Sequence, residues 1–135
     1  MIQVELSKII IDEKRQDQII VLKEKQGDRQ FPIVIGFLEA SSIKMNLSGI
    51  TPPRPMTHDL LVSVIEELGA KVERLIIDQM VNNTFHAKLE LKTRAGKPKQ
   101  IDTRPSDGIA VAVRVGCDIF VSEDVLNKAA IFKIS

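Results

Sequence analysis

Apolar and polar residues alternate at the start of the chain. Ile2, Val4 and Leu6 are separated by Gln3, Glu5 and Ser7, the period of a half-buried strand. A polar stretch from Asp12 to Asp17 turns the chain into a second strand around Gln18–Lys25, and Gly27-Asp28 turns it again into a third, Gln30–Ile35. Three strands joined by short turns predict an antiparallel meander. The period then changes. Gly36, Ala40, Ile43 and Leu47 recur at helical spacing, Ser48-Gly49 supplies the stop, and Glu39 lies in the first turn. Glu39 there complements the helix dipole, with a role in a site as the second reading. Thr51-Pro52-Pro53-Arg54-Pro55 is a stiff connection poor in backbone donors. Thr57 suits the N-cap of the next helix, with Met56 and Leu61 placed as a hydrophobic staple. That helix carries Leu60, Leu61, Val64, Ile65 and Leu68 and stops at Gly69.

The second half opens with a β-branched run from Val72 to Val81, a hairpin turn at Asn82-Asn83 and a partner strand from Thr84. Phe85, Ala87, Leu89 and Leu91 face one way. His86, Lys88, Glu90 and Lys92 face the other, which makes His86 a solvent-facing strand residue. Ala95-Gly96-Lys97 turns the chain into a short strand that ends at Asp102. Next, Ile109 to Val113 are apolar on every side, as in a buried helix. Pro105 presets its start, Ser106 can cap its first turn, and Asp107 lies at the positive end of its dipole. Arg114 suits the negative end, and Gly116 is placed to close the helix. Asp118–Val121 reads as a brief strand, and Ser122-Glu123-Asp124 caps a last helix through Val125, Leu126 and Ala130. The whole predicts one α+β domain over residues 1–135. Its mostly antiparallel twisted sheet, the three-strand meander plus the later hairpin, is covered by about three to four helices.

Composition narrows the function. The chain has 135 residues, enough for a core without staples, and Cys117 is its one cysteine, so neither a disulfide framework nor a cysteine metal site is expected. A reducing cytoplasm is the expected compartment. No apolar run is long enough to span a membrane, the first residues do not resemble a signal peptide, and no membrane partner is expected. The net charge of +1 excludes a protein that coats nucleic acid by bulk electrostatics. A local patch remains: Lys88, Lys92, Arg94, Lys97, Lys99 and Arg104 face only Glu90 and Asp102 in the same segment. Its plainer reading is a solvated hairpin. With no Trp or Tyr and five Phe, stacking platforms for unpaired bases are scarce.

Charged chemistry concentrates at two helix starts. Arg54-Pro55-Met56-Thr57-His58-Asp59 and Arg104-Pro105-Ser106-Asp107 each place an Arg-Pro pair before an acidic residue, an apolar helix and a glycine. Either the two segments face each other across a site, or good helix-start chemistry is simply used twice.

These segments resemble the bifunctional nuclease domain family. The resemblance rests on Ile35-Gly36 followed by Glu39-Ala40, on Arg54-Pro55-Met56-Thr57-His58-Asp59-Leu60, on Phe85 with Ala87, and on Ile101-Asp102-Thr103-Arg104-Pro105-Ser106-Asp107. It covers nearly the whole chain, and the second and fourth motifs are long enough to be specific. Gly108 departs from the alanine expected after the Ser-Asp pair, which loosens the helix start. The resemblance implies degradation of RNA and DNA, an activity of some members in a family largely uncharacterised in bacteria, and a homo-oligomer.

The residues themselves allow that chemistry. Asp59, Asp102 and Asp107 are carboxylates of the kind that hold Mg²⁺ or Mn²⁺, with Asp59 and Asp107 the first pair to consider; no organic cofactor is expected. Arg54 and Arg104 can grip phosphate oxygens, and the helix N-termini at Thr57 and Ser106 offer backbone donors to an anion. His58 is the residue type suited to moving a proton near neutrality. The competing reading pairs Arg54 and Arg104 with Asp107 and Asp59 as an ionic network that locks two helices together. Three functions follow: a nuclease acting between the two helix starts, with His58, Asp59, Asp102 and Asp107 catalytic; a non-catalytic oligomeric module that binds an anionic ligand or protein partner there; or nucleic-acid binding through the basic hairpin, with steep salt dependence.

Overall fold

The computed structural model describes residues 1–130. Strands β1 (Ile2–Ile10), β2 (Asp17–Glu24) and β3 (Gln30–Gly36) form the expected antiparallel meander. The alternation that begins at Ile2 does not run to the end of β1, because a bulge between Leu6 and Lys8 shifts the register. An inserted residue swaps the faces, so Ile9 packs inward after Leu6. Helices α1 (Phe37–Leu47) and α2 (Thr57–Glu67) follow, then a second antiparallel set, β4 (Lys71–Val81), β5 (Thr84–Lys92) and β6 (Pro98–Thr103). Asn82 and Asn83 take φ of +52° and +63°, the left-handed pair that a two-residue hairpin turn needs. Helix α3 (Pro105–Val115), strand β7 (Asp118–Val121) and helix α4 (Glu123–Ala129) complete the described chain. The result is the expected α+β class, a curled seven-stranded sheet with four helices.

β7 joins the two halves. The sheet order is β3-β2-β1-β7-β4-β5-β6, with β7 antiparallel to β1 and parallel to β4. A parallel neighbour requires a crossover, and α3 supplies it after β6. That route lays α3 on the sheet, where Ile109, Ala110, Val111 and Ala112 are buried beside Leu75 and Ile77. Gly108 is what allows the approach. A Cβ there would stand 2.5 Å from Leu75 Cδ1 and 3.2 Å from Thr103 Cγ2. The glycine read as a loosened helix start is therefore a close contact between helix and sheet.

Helices α1 and α2 both pack on α3. α1 buries Ala40, Ser42 and Ile43. α2 buries only His58 and Ile65. The apolar residues that mark α2 in the sequence mostly face outward, Leu60 at 59% and Leu68 at 75% exposure, with Leu61 and Val64 beside them.

Both expected N-caps move by a residue or two. Met56 occupies the cap of α2, and its amide donates to Asp59 Oδ2 at 2.9 Å, which makes Thr57 the first helical residue. Met56 at the cap is also one position past the staple site. In α3, Arg104 takes the cap position and Pro105 the first helical one, so Ser106 lies inside the helix without a capping bond. The last helix is as expected, with Ser122 Oγ accepting from the Val125 amide at 3.2 Å. No helix of the described residues is long and apolar enough to cross a membrane.

A candidate active site between two helix starts

The starts of α2 and α3 open onto one cleft of about 790 Å³. The first turns of α1 and α2, the end of β6 and the first turn of α3 enclose it. Thr57, His58, Asp102, Arg104 and Asp107 line it, together with Glu39, Ser41, Ser42, Thr103 and an apolar lip of Leu38, Met56 and Leu61. Five of the eight residues singled out in the sequence therefore meet. Arg54 is exposed in the proline-rich connection, and Asp59 is turned toward α3. Ser106 is buried and borders a different cavity, next to Gly36 and Thr84.

His58 and Asp107 form the centre. His58 Nε2 lies 3.0 Å from Asp107 Oδ1, and His58 Nδ1 lies 2.9 Å from Ser42 Oγ. The other carboxylate oxygen of Asp107 accepts from Arg104 through Nε at 3.1 Å and a terminal nitrogen at 3.0 Å. The same terminal nitrogen reaches Glu39 Oε1 at 3.3 Å. Glu39 is folded back over Gly36, whose missing Cβ leaves room for the carboxylate. The Arg104 side chain is 71% exposed, so its guanidinium still faces solvent at the cleft while its position is set by two acids. Burial alone raises the pKa of Asp107, but bonds from His58 and Arg104 outweigh it and hold the carboxyl below its ordinary value. Asp107 in turn raises the pKa of Arg104.

Behind His58 runs a second set of bonds. Arg114, near the end of α3, donates to Ser42 Oγ at 2.9 Å, to Asp59 Oδ1 at 2.7 Å and to the Ala110 carbonyl at 2.8 Å. Asp59 is held below its ordinary pKa, first by the Met56 amide and then by Arg114. The two Arg-Asp pairs expected between the helix starts thus have different members. Asp107 pairs with Arg104 on its own helix rather than with Arg54, and Asp59 pairs with Arg114 rather than with Arg104.

Ser42 and Arg114 had no place in the site read from the sequence. Ser42 gives no signal beyond a polar residue at i+3 from Glu39 on the buried side of α1. Arg114 had one: a cation at the last turn of a helix otherwise apolar on all sides, where burial is to be expected along with the dipole.

Asp59 and Asp107 do not fit a shared Mg²⁺ or Mn²⁺ ion as arranged. Asp59 is engaged by an amide and a guanidinium, and Asp107 by an imidazole and a guanidinium. Among the described residues, no three His, Cys, Asp or Glu side chains gather as a ligand set. Charge in the cleft also runs against a polyanion: Glu39, Asp102 and Asp107 face a single guanidinium, that of Arg104.

A family model for the bifunctional nuclease domain matches residues 20–133. Uncharacterised proteins from two strains of Mycobacterium tuberculosis are each 37% identical over 123 residues, which cover 91% of this chain and 73% of the relative.

Proposed function

The chain belongs to the bifunctional nuclease domain family, and from that premise we propose that it hydrolyses phosphodiester bonds of RNA or DNA in the cleft between its two Arg-Pro helix starts. The observation that carries this reading is the shared carboxylate of Asp107. One oxygen meets a histidine and the other an exposed arginine, so a group able to take a proton stands beside a cation able to hold a phosphate. A phosphate drawn to Arg104 lies next to Asp107. The oxygen of a water molecule bonds to phosphorus, Asp107 takes its proton, and the bond to the departing oxygen breaks. That oxygen is protonated from solvent. Arg104 offsets the charge that grows on the phosphoryl oxygens. Thr57 lines the cleft at the first turn of α2, and the Asp102 side chain, also lining it, is 77% exposed. No step runs through a metal ion.

Three carboxylates around one guanidinium make for weak attraction of nucleic acid and slow turnover. The basic hairpin is also less basic than it reads, since Lys88 lies 3.5 Å from Asp102 and 3.9 Å from Asp78. Salt therefore changes substrate affinity only shallowly. The exposed strip of Leu60, Leu61 and Val64 on α2 with Leu68 at its C-cap supports self-association as a homo-oligomer, because apolar residues at this spacing form one continuous face. The single thiol, Cys117, fits the cytoplasm as the compartment. A competing reading rests on the network itself: every charge around His58 is met within the protein, as in a non-catalytic scaffold that binds an anion or a partner.

Labelled single-stranded RNA and DNA incubated with the purified protein separate the two. The expected result is cleavage that persists in chelator and falls at least a hundredfold in Asp107→Asn and in Arg104→Gln variants of matched thermal stability. Absence of cleavage under all conditions, or cleavage unchanged in both variants, would remove the nuclease reading and leave the scaffold.

A further inference from the structure

The direction of each hydrogen bond along the chain of groups behind the cleft is fixed by its two ends, a guanidinium that only donates and a carboxylate that only accepts. Arg114 is a guanidinium, which only donates, so Ser42 Oγ must accept from it at 2.9 Å. The hydroxyl of Ser42 is then free to donate, and the ring nitrogen it meets at 2.9 Å is His58 Nδ1. His58 Nε2 lies 3.0 Å from Asp107 Oδ1, a carboxylate oxygen that only accepts, so in the neutral ring the proton sits on Nε2 and Nδ1 accepts from the Ser42 hydroxyl. Each link agrees with the next. Ser42 is 1% exposed and the Arg114 side chain 7%, so no water competes for these bonds.

We propose that Ser42 and Arg114 are positioning residues that fix His58 as the Nε2–H tautomer and so leave Asp107, not His58, as the proton acceptor facing the cleft. This rests on the nuclease reading only where it speaks of turnover. With Nδ1 committed to Ser42 and Nε2 carrying a proton aimed at Asp107, neutral His58 has no free lone pair to offer a substrate. Asp107 has. Its Oδ1 accepts one bond, and its side chain is 31% exposed against 11% for His58. The role of the histidine is to orient the carboxylate, with Ser42 holding the ring and Arg114 holding Ser42. Asp59 anchors the far end, so the acid of the α2 motif acts on the chemistry only through Arg114 and the groups it holds.

Long-range ¹H–¹⁵N correlation spectra of the full chain test this without any substrate. The chain has two histidines, and the signals that vanish in His58→Gln identify the ring. The expected spectrum of the neutral ring shows a protonated Nε2 and an unprotonated Nδ1. In Ser42→Ala the single tautomer gives way to an exchanging mixture, and kcat falls about tenfold with KM within twofold, the usual scale for an orienting partner. A neutral His58 protonated at Nδ1 would overturn the proposal, as would a Ser42→Ala variant that keeps the pure Nε2–H tautomer. If Ser42→Ala does not fold, the wild-type spectrum still decides the tautomer, and Ser42→Cys, which keeps a weak donor of similar size, replaces it in the comparison. An inactive wild type with a pure Nε2–H ring that depends on Ser42 would refute the nuclease reading and uphold the positioning.

Discussion

Replacing Arg114 by methionine keeps much of the buried stem and removes the guanidinium. Three acceptors lose a donor. The Ala110 carbonyl keeps its place in the helix ladder, so its share is small. Asp59 keeps the Met56 amide, and its side chain is 34% exposed, so water reaches it. Its lost charge-assisted bond costs about 1.5–2 kcal/mol, less than the cost of breaking a fully buried pair. Ser42 is buried and left without its donor, which costs about 1 kcal/mol. The total is about 2.5–3 kcal/mol, and for a chain of this size that lowers Tm by about 10 °C. Thermal unfolding followed by circular dichroism at neutral pH reads it, beside Asp59→Asn and the double variant. Because the two residues share a bond, the double variant should be more stable than the sum of single losses by about 1–1.5 kcal/mol. Acid sharpens the test. Asp59 has a folded pKa below its ordinary value of 3.8. Its contribution is therefore complete above about pH 4 and is lost as pH falls through the lower, folded value. Arg114→Met should flatten that acid limb. A variant that melts within about 2 °C of wild type would show that Arg114 acts only as an exposed cation at a helix end, worth about 0.3–1 kcal/mol, and the bond chain behind His58 would lose its foundation.

Two further substitutions probe the packing. Gly108→Ala gains about 1 kcal/mol of helix propensity but drives a methyl into Leu75, an overpacking cost of about 1–3 kcal/mol. The expected outcome is a net loss of about 1 kcal/mol in urea unfolding, and a stabilised variant would mean that Leu75 yields freely. Leu60→Glu with Leu68→Glu places charges on the outward strip of α2, where neither residue supports the core of its own chain. Sedimentation should show a fall from an assembled species to a monomer at unchanged Tm of the isolated fold, and an unchanged mass would exclude this strip as the contact.

Much of the fold was legible because its signals are local. The Asn82-Asn83 turn needs two left-handed residues in sequence, and asparagine tolerates that conformation. The β7 strand and the Ser122 cap sit where apolar residues and a hydroxyl place them. What periodicity does not carry is which strand lies beside which. Nothing in Asp118–Val121 announces that it will pair with β1 on one side and β4 on the other, since both pairings join residues far apart in sequence. The exposure of α2 was hidden for a similar reason. Leu60, Leu61, Val64 and Leu68 make an apolar face, and an apolar face indicates burial against something without naming the chain that supplies the cover.

The site shows the same division more sharply. His58, Arg104 and Asp107 were visible because rare residue types cluster beside prolines, and the two helix starts do share a cleft. Asp59 is visible for the same reason, but its partner Arg114 is not. An acid at the third position of a helix answers to the amide before it and to whatever the opposite face of the cleft presents, and that face is the C-terminal turn of α3 rather than its start. Arg114 lies ten residues beyond Arg104 on the same helix, about 15 Å along its axis, so one helix reaches the motif of α2 from both ends. Its first turn brings Asp107 to His58 from the cleft, and its last brings Arg114 to Ser42 and Asp59 from behind. A buried helix, apolar on every side but for a charge at each end, is suited to that task, because the core that surrounds it sets the distance between its two charges. The glycine at 108 lets α3 sit close to Leu75 of β4, within the core that holds the helix between its two charged ends. The arrangement around His58 thus joins residues from α1, α2 and both ends of α3, a combination no motif of seven residues contains.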